Sequence, residues 1–352
     1  MNVYFSKFHL VYKTVNDFFR LSMGHRKRSQ PRRGSLAYSP RGRAKSMEAR
    51  IRGWPQIHSN EPSLLAHAGF KVGCVQIVSI DDREHVPNYG KQVVTLGTVI
   101  AIPPLIVIGI RGYQENTEGK YARFDVFTKD TPKNVEKLIR TKAEDTDIED
   151  AEKLLGHIKE IYAIVAVTPR LVGLEQKTPY VFEVGVKGGD VQKQFTFVKD
   201  LLGKEVKVDQ VFENGTYVDT AAITKGKGWQ GVIYRWGAKK KQHKSRKTVR
   251  ELGSLGPISP QNVMYTVPRA GQTGFHQRIE YNKRIMVMSN TEKEEYKINP
   301  DGGFKHFGNV SGDFIVVKGS VPGTYRRLIK LRKQIRKESN KVVTPNVVEV
   351  VI

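Results

Sequence analysis

The run Gly226-Lys-Gly-Trp-Gln-Gly231 is a literal match to the Gly-x-Gly-x-x-Gly motif of nucleotide-binding proteins. It follows a plausible strand, and Glu251 stands about 20 residues downstream, where a dinucleotide site has its ribose-binding acid. Such a site also needs a helix that begins after the last glycine and a repeating β-α-β pattern. Residues 232–237 predict a strand and a turn instead, and no such repeat surrounds them. The motif by itself therefore does not indicate a nucleotide cofactor.

A nucleic-acid interface explains the same segment better. Glycines let the backbone lie close to phosphates and bases, and the neighbouring Lys225 and Lys227 are suited to phosphate contacts. Trp229 and Trp236 either pack at the base of the loop or stack on bases. The chemistry that this pattern predicts is therefore binding, with no bond made or broken.

Other residues that could do chemistry are badly spaced. No Gly-Lys-Ser/Thr follows a spaced glycine, which argues against a translation GTPase, and the histidines lack metal-ligand spacing. The lone Cys74 excludes an intramolecular disulfide and a cysteine metal cluster. Asp81 and Asp82 would point to opposite faces of a strand, so a turn is the simpler interpretation. His243 and His276 lie among basic residues, where an RNA contact or a loop hydrogen bond is expected. We predict no catalytic residue, no metal and no cofactor.

Net charge indicates the partner. The 352 residues contain 59 Lys and Arg against 35 Asp and Glu, a formal net charge of +24. Such a chain repels itself unless a polyanion neutralises it, and RNA releases counterions from each phosphate that a cation contacts. The longest apolar stretch, 99–110, is broken by Pro103 and Pro104 and is too short to span a bilayer. We therefore expect a cytoplasmic nucleic-acid binder with no membrane partner and no small-molecule substrate.

The charge is concentrated in three segments. Residues 23–55 are predicted to be a basic arm with one acid, Glu48, and no apolar period, so we expect it to order only on its partner. Residues 225–283 are predicted to be a Gly/Lys-rich finger, too long and too basic for an ordinary surface loop. Residues 326–337 form a cluster of one charge sign with partly helical apolar spacing, which favours an RNA-facing surface. The predicted RNA-binding residues are Arg26, Lys27, Arg28, Arg32, Arg33, Arg41 and Arg43 of the arm; Lys225, Lys227, Trp229, Arg235, Trp236, Lys239, Lys240, Lys241, Lys244, Arg246, Lys247, Arg250, Arg269, His276 and Arg278 of the finger; and Arg326, Arg327, Lys330, Arg332 and Lys333 of the cluster.

The remaining pattern predicts a mostly β fold with an α+β insertion. Short apolar strands separated by Gly, Pro and Asn suggest a barrel built from residues 56–128, 191–224 and 284–337. Between them, residues 129–190 are predicted to hold a pair of acidic helices facing solvent, followed by strands. Residues 338–352 are a C-terminal tail. Residues 1–22 differ in composition from the rest, which suggests a natural start at Met23; a short amphipathic helix is the alternative.

Several motifs in a fixed order resemble one family. They are residues 24–41 (GHRKRSQPRRGSLAYSPR), 218–231 (VDTAAITKGKGWQG), 235–237 (RWG), 270–278 (AGQTGFHQR) and 319–323 (GSVPG). Together they closely resemble the universal large-subunit ribosomal protein L-three family in its archaeal form, from Gly24 to about Lys337. The resemblance implies a translation-protein-type β-barrel with long basic extensions. It also implies partners in large-subunit (23S-type) rRNA and neighbouring ribosomal proteins, a part in early subunit assembly, and a finger that approaches the peptidyl-transferase region without doing chemistry.

One position departs from the family, and two other functions stay open. The finger tip has Pro257, Ile258 and Ser259 where relatives carry a tryptophan, so tip stacking is not expected here. The first rival is an RNA-modifying enzyme that uses the glycine loop for a nucleotide cofactor; the missing acid-base and metal constellations count against it. The second is a polyanion-binding module outside the ribosome, which charge alone would equally fit.

Overall fold

The computed structural model describes residues 32–57, 59–128, 135, 148–293, 296–336 and 343–352. The chain divides into two compact units. The smaller unit contains Met1–Gly42, which includes the first part of the arm, and Lys227–Thr273. The larger unit contains Arg43–Gly226 and Gly274–Ile352. The residues Arg26, Lys27 and Arg28, the segment 1–22 and most of the predicted acidic helices lie outside the described residues.

The larger unit is mostly β, which confirms the coarse fold class. Its first sheet has seven antiparallel strands, which are β2 Ala66–Ile80, β3 Gln92–Ala101, β9 Tyr217–Ile223, β12 Gln277–Asn290, β13 Asp313–Lys318, β14 Leu328–Lys333 and β15 Val347–Val351. Their order across the sheet is β14-β9-β12-β13-β3-β2-β15. β14 pairs with β9 on one side and with β2 on the other. Strand pairing therefore continues from β14 through β9, β12, β13, β3 and β2 and returns to β14. Buried β-branched residues such as Val99, Ile100 and Val316 explain why these segments are strands.

A second sheet lies within the same unit. It contains β1 Ser63–Leu64, β4 Leu105–Asn116, β5 Gly119–Phe127, β6 Glu160–Val167, β7 Tyr180–Lys187 and β8 Glu205–Val206. The sequence placed 105–127 in the first part of the barrel and 191–224 in its continuation, but β4 pairs with β5, β6 and β8 here. The two sheets therefore divide the chain differently from the predicted segments, because alternating apolar residues do not specify which strands pair.

Helices account for the other differences. α1 spans Ile148–Leu154, at the end of the predicted acidic region, with Ala151 buried. α2 spans Val191–Leu201, where no helix was predicted, and its Phe195 and Val198 pack in the core. The apolar run 206–212 predicts a strand, and this prediction is wrong beyond Val206, because Val208–Gln210 form a 3-10 turn. Its apolar residues are buried by packing and not by strand pairing.

The smaller unit contains short elements. β10, Trp229–Gln230, pairs antiparallel with β11, Gly271–Gln272. α3 spans Val232–Trp236. The prediction of a strand and a turn over 232–237 is therefore wrong, and a helix does begin after Gly231. At five residues, and after a two-residue antiparallel strand, it does not form the β-α-β unit that a dinucleotide fold requires.

Candidate nucleic-acid interface

Residues 32–42 of the arm are anchored within the smaller unit by Arg41. Its guanidinium carbon lies 3.9 Å from the centroid of the Trp236 ring. One guanidinium nitrogen donates to the Arg235 carbonyl at 2.6 Å and the other to the Ser35 carbonyl at 3.1 Å. Gly34 has a φ of +71°, and a Cβ there would lie 2.5 Å from the Trp236 ring. Glycine is therefore required at this contact, and Arg41 is held by carbonyls and an aromatic face without a carboxylate.

Trp236 packs at the base of the finger. It is 6% exposed, and its indole N–H donates to the Arg269 carbonyl at 2.9 Å. Arg235 donates to the carbonyls of Gln272 and Arg269. Burial, followed by repulsion from Arg41, lowers the pKa of Arg235. Of the two functions considered for Trp236, the structure supports packing.

Trp229 has the opposite environment. It is 77% exposed, although its backbone is fixed by the β10–β11 pairing opposite Gln272. Tyr234 is also exposed, and the Lys227 ammonium lies 2.5 Å from its hydroxyl and 4.9 Å from its ring centroid. Sequence reasoning missed Tyr234, although an aromatic residue after the glycine run was a usable signal.

Residues 227–273 of the finger carry most of the unneutralised charge in the described part of the smaller unit. Residues 227–273 contain one acid, Glu251, and ten Lys and Arg. Across these described residues no cation is ion-paired with a carboxylate. Most are exposed: Lys227, Lys239, Lys240, Lys244, Arg246, Lys247, Arg250 and Arg269, with Lys241 half-buried. At the tip, Pro257, Ile258 and Ser259 are exposed, Ile258 to 92%.

A second group of cations surrounds two aromatic rings in the larger unit. Arg43 and Arg327 each lie over Phe275, at 5.4 and 5.5 Å from the ring centroid. Lys225 lies over the Tyr325 ring at 5.4 Å. Arg327 also donates to the carbonyls of Ile223 and Thr224, and burial lowers its pKa. Phe275 and Tyr325 were missed by sequence reasoning, although both stand inside basic motifs.

The basic cluster near the C-terminus differs from its prediction. Residues 328–333 form strand β14, so the helical spacing was misleading. Lys330 is 4% exposed and pairs with Glu48 at 2.5 Å, while Arg332 is 2% exposed and pairs with Asp219 at 2.6 Å. These two predicted RNA contacts therefore lie inside the fold with their charges neutralised. The local sequence could not reveal these ion pairs, because Glu48 and Asp219 lie far from the basic cluster along the chain.

Other predicted contacts of the larger unit vary in exposure. His276 is buried, Arg278 is half-buried and Arg326 is exposed. Lys333 is half-buried, donates to the Ser63 hydroxyl at 3.1 Å, and has a pKa lowered by burial. In the smaller unit Arg32 and Arg33 are exposed.

The expectation that the whole arm orders only on its partner is wrong for residues 43–55. Ala49 is 1% exposed and packs with Ala221 and Ile223, with Ala44 and Ile51 beside them. The single acid of the arm, Glu48, pairs with the buried Lys330. Small apolar residues without a regular period thus bury this part of the arm, because they contact an existing sheet and need no core of their own.

Nowhere among the described residues do three or more His, Cys, Asp or Glu side chains form a group that could hold a metal ion. None of the helices in the described part of the chain combines the length and hydrophobicity that a bilayer crossing requires.

Comparison with known proteins gives consistent matches. A family model described as Ribosomal protein L3 matches residues 23–352. The large ribosomal subunit protein uL3 of Methanothermobacter thermautotrophicus is 38% identical over 324 residues, covering 90% of this chain and 95% of the relative. The protein of that name from Methanococcoides burtonii is 40% identical over 339 residues, covering 94% and 98%. That of Methanococcus vannielii is 40% identical over 325 residues, covering 91% and 96%.

Proposed function

The chain belongs to the ribosomal protein L3 family, and from this premise we propose that it is a structural, non-catalytic constituent of the large ribosomal subunit in the cytoplasm. Its partners are large-subunit rRNA, which it binds directly, and neighbouring ribosomal proteins. The names of its archaeal relatives, each a large ribosomal subunit protein, support this assignment.

One observation supports direct rRNA binding more than any other. Residues 227–273 of the finger contain ten cations and one acid, and none of these ten cations is paired with a carboxylate. Uncompensated charge of this density is self-repulsive in the free protein and favourable beside a phosphate backbone. In contrast, the buried Lys330 and Arg332 already have carboxylate partners and are left out of the proposed interface.

The finer architecture is part of the same proposal. The return of pairing from β14 to β2 supports a translation-protein-type β-barrel. Phosphate contacts come from the exposed cations of the finger, from Arg32 and Arg33, and from Arg43, Lys225 and Arg327 around their aromatic rings. The barrel positions these extensions, which join separated rRNA helices early in subunit assembly, and the finger reaches toward the peptidyl-transferase region.

Salt dependence of binding tests the proposal. Affinity of the full chain for large-subunit rRNA should fall with a slope of about 0.7 to 0.9 log units per log unit of salt for each phosphate neutralised. Lys240→Ala should lower that slope by about 0.7 to 0.9, the contribution of one phosphate contact, because Lys240 is exposed and has no carboxylate partner. Lys153→Ala, at an exposed lysine paired with Asp150, is the matched control and should leave the slope unchanged.

Two results would contradict the proposal. Binding to rRNA that is insensitive to salt would show that phosphate contacts do not carry it. In the second test, cell extract is sedimented and the large subunits are washed at moderate salt. If the chain is then found free, or in less than one copy per large subunit, it is not a constituent of that subunit.

A further inference from the structure

Trp229 is a large aromatic side chain exposed on a rigid backbone. It is 77% exposed, although burying an indole is among the larger hydrophobic gains that a fold can make. Its residue is fixed by pairing with Gln272, by the Lys227 amide donating to the Thr273 carbonyl at 2.9 Å, and by the Thr273 amide donating to the Gly228 carbonyl at 2.8 Å. The backbone that carries the exposed ring is therefore anchored by hydrogen bonds on both sides of Trp229.

The glycines beside Trp229 keep its surroundings open. Gly228 has a φ of +66°, which favours glycine, and a Cβ there would contact nothing within 4 Å. A Cβ at Gly231 would also lie in open space, and its φ of −69° is one that any residue can adopt. Neither packing nor backbone conformation within the protein requires glycine at 231. A flat ligand can therefore approach the indole without meeting a side chain from these positions.

A cation lies two residues from the indole. The Lys227 ammonium donates to the Tyr234 hydroxyl at 2.5 Å. An ammonium has three N–H donors and this hydroxyl accepts one, so the group can also donate to a phosphate oxygen. The combination of an exposed π face and a positioned ammonium is the arrangement that single-stranded nucleic-acid sites use for a base and its phosphate.

We propose that Trp229 stacks on an unpaired nucleotide of rRNA, with Lys227 on the neighbouring phosphate. This inference rests on the proposed function and adds a specific subsite to it. An unpaired base is required because the faces of a base inside a duplex are already covered by its neighbours. Trp236 has no such role, since its ring is covered by Arg41 and its N–H is bound to Arg269.

The test compares two RNA probes with the full-length chain. One is a labelled oligoribonucleotide without secondary structure, and the other is a duplex of the same length, both measured by fluorescence anisotropy at fixed salt. Trp229→Leu should weaken binding of the unpaired probe by roughly 5- to 150-fold, the contribution of one stacked base. Binding of the duplex probe should not change, and Trp229→Phe should retain most of the affinity for the unpaired probe. Tyr89→Leu removes another exposed aromatic residue and serves as the matched control.

The outcomes separate this inference from the proposed function. If the wild-type chain binds neither probe, both fail. If it binds both and Trp229→Leu binds the unpaired probe as the wild type does, the stacking site is wrong while rRNA binding stands. Equal losses for the two probes would also overturn stacking, because they would indicate a general effect on the finger.

Discussion

Replacing Asp219 with asparagine removes one charge from a fully buried ion pair. Asp219 is 0% exposed and Arg332 is 2% exposed, with 2.6 Å between carboxylate and guanidinium. The same carboxylate accepts hydrogen bonds from the backbone amides of Asn282 and Ile335, at 3.0 and 3.2 Å. The other guanidinium nitrogen of Arg332 donates to the Gly53 carbonyl at 2.6 Å. This one carboxylate therefore connects strands β9, β12 and β14 and the segment that follows β14.

The expected cost is large. Removing one partner of a buried pair leaves an uncompensated charge, which typically costs about 3–5 kcal/mol. Asparagine keeps one carbonyl oxygen and can satisfy one of the two backbone amides, so the loss for Asp219→Asn should fall near the lower limit, about 3 kcal/mol. That is a large part of the roughly 5–15 kcal/mol that typically stabilises a folded protein.

Urea unfolding followed by far-UV circular dichroism measures the difference. Asp150→Asn removes the acid of an exposed i,i+3 pair with Lys153, and should cost about 0.5 kcal/mol or less. Adding Arg332→Met to Asp219→Asn should recover part of the loss, since no unpaired charge then remains inside. A loss below about 1 kcal/mol for Asp219→Asn alone would refute the reasoning that this buried charge depends on its partner.

Two further predictions concern the cores of the two units. Burial lowers the pKa of His67 to about 4 despite its backbone hydrogen bonds, so the folded state binds fewer protons than the unfolded state, whose pKa is near 6.5. The free energy of unfolding should therefore fall by up to about 3 kcal/mol as the pH drops from 6.5 toward 4. Urea titrations of His67→Gln at the same pH values should lack this fall. An equal dependence of the unfolding free energy on pH in the wild type and His67→Gln would disprove the prediction. In the smaller unit, Trp236→Phe removes the N–H bond to Arg269 and should speed amide hydrogen exchange in residues 227–273. Trp229→Phe is the control and should leave exchange unchanged, because that ring is exposed.

Local sequence patterns were sufficient for much of the strand content. The apolar runs 93–101, 161–167, 180–186 and 217–223 each predict a strand. The last matches β9, Tyr217–Ile223, and the first three match β3, β6 and β7 to within one residue at either end. Alternation and β-branched residues are local properties, so they identify a strand wherever it pairs. They could not reveal that β4 and β5 join the second sheet, since pairing partners are chosen by long-range packing. The helix α2 was missed although Val191, Phe195 and Val198 have helical spacing.

The two tryptophans of the glycine-rich motif show the same limit at the candidate site. Both stand among basic residues and glycines, and the sequence left packing and stacking open for each. Only the fold separates them: Trp236 is covered by Arg41 and bound to Arg269, while Trp229 faces solvent. Exposure is a property of three-dimensional neighbours, which residue type and spacing do not contain.

The sequence by itself predicted the nature of the partner and the segments that we expect to contact it. An excess of 24 positive charges concentrated among Gly and Pro requires a polyanion, and an ordered set of motifs points to one family. The tertiary structure decided which charges are available to that partner. Lys330 and Glu48 are separated by 282 residues, and Arg332 and Asp219 by 113, yet each pair is in contact, with Lys330, Arg332 and Asp219 buried. Neutralisation depends on distance in space, so a run of basic residues that looks uniform along the chain contains both ion-paired cations inside the fold and exposed cations at its surface.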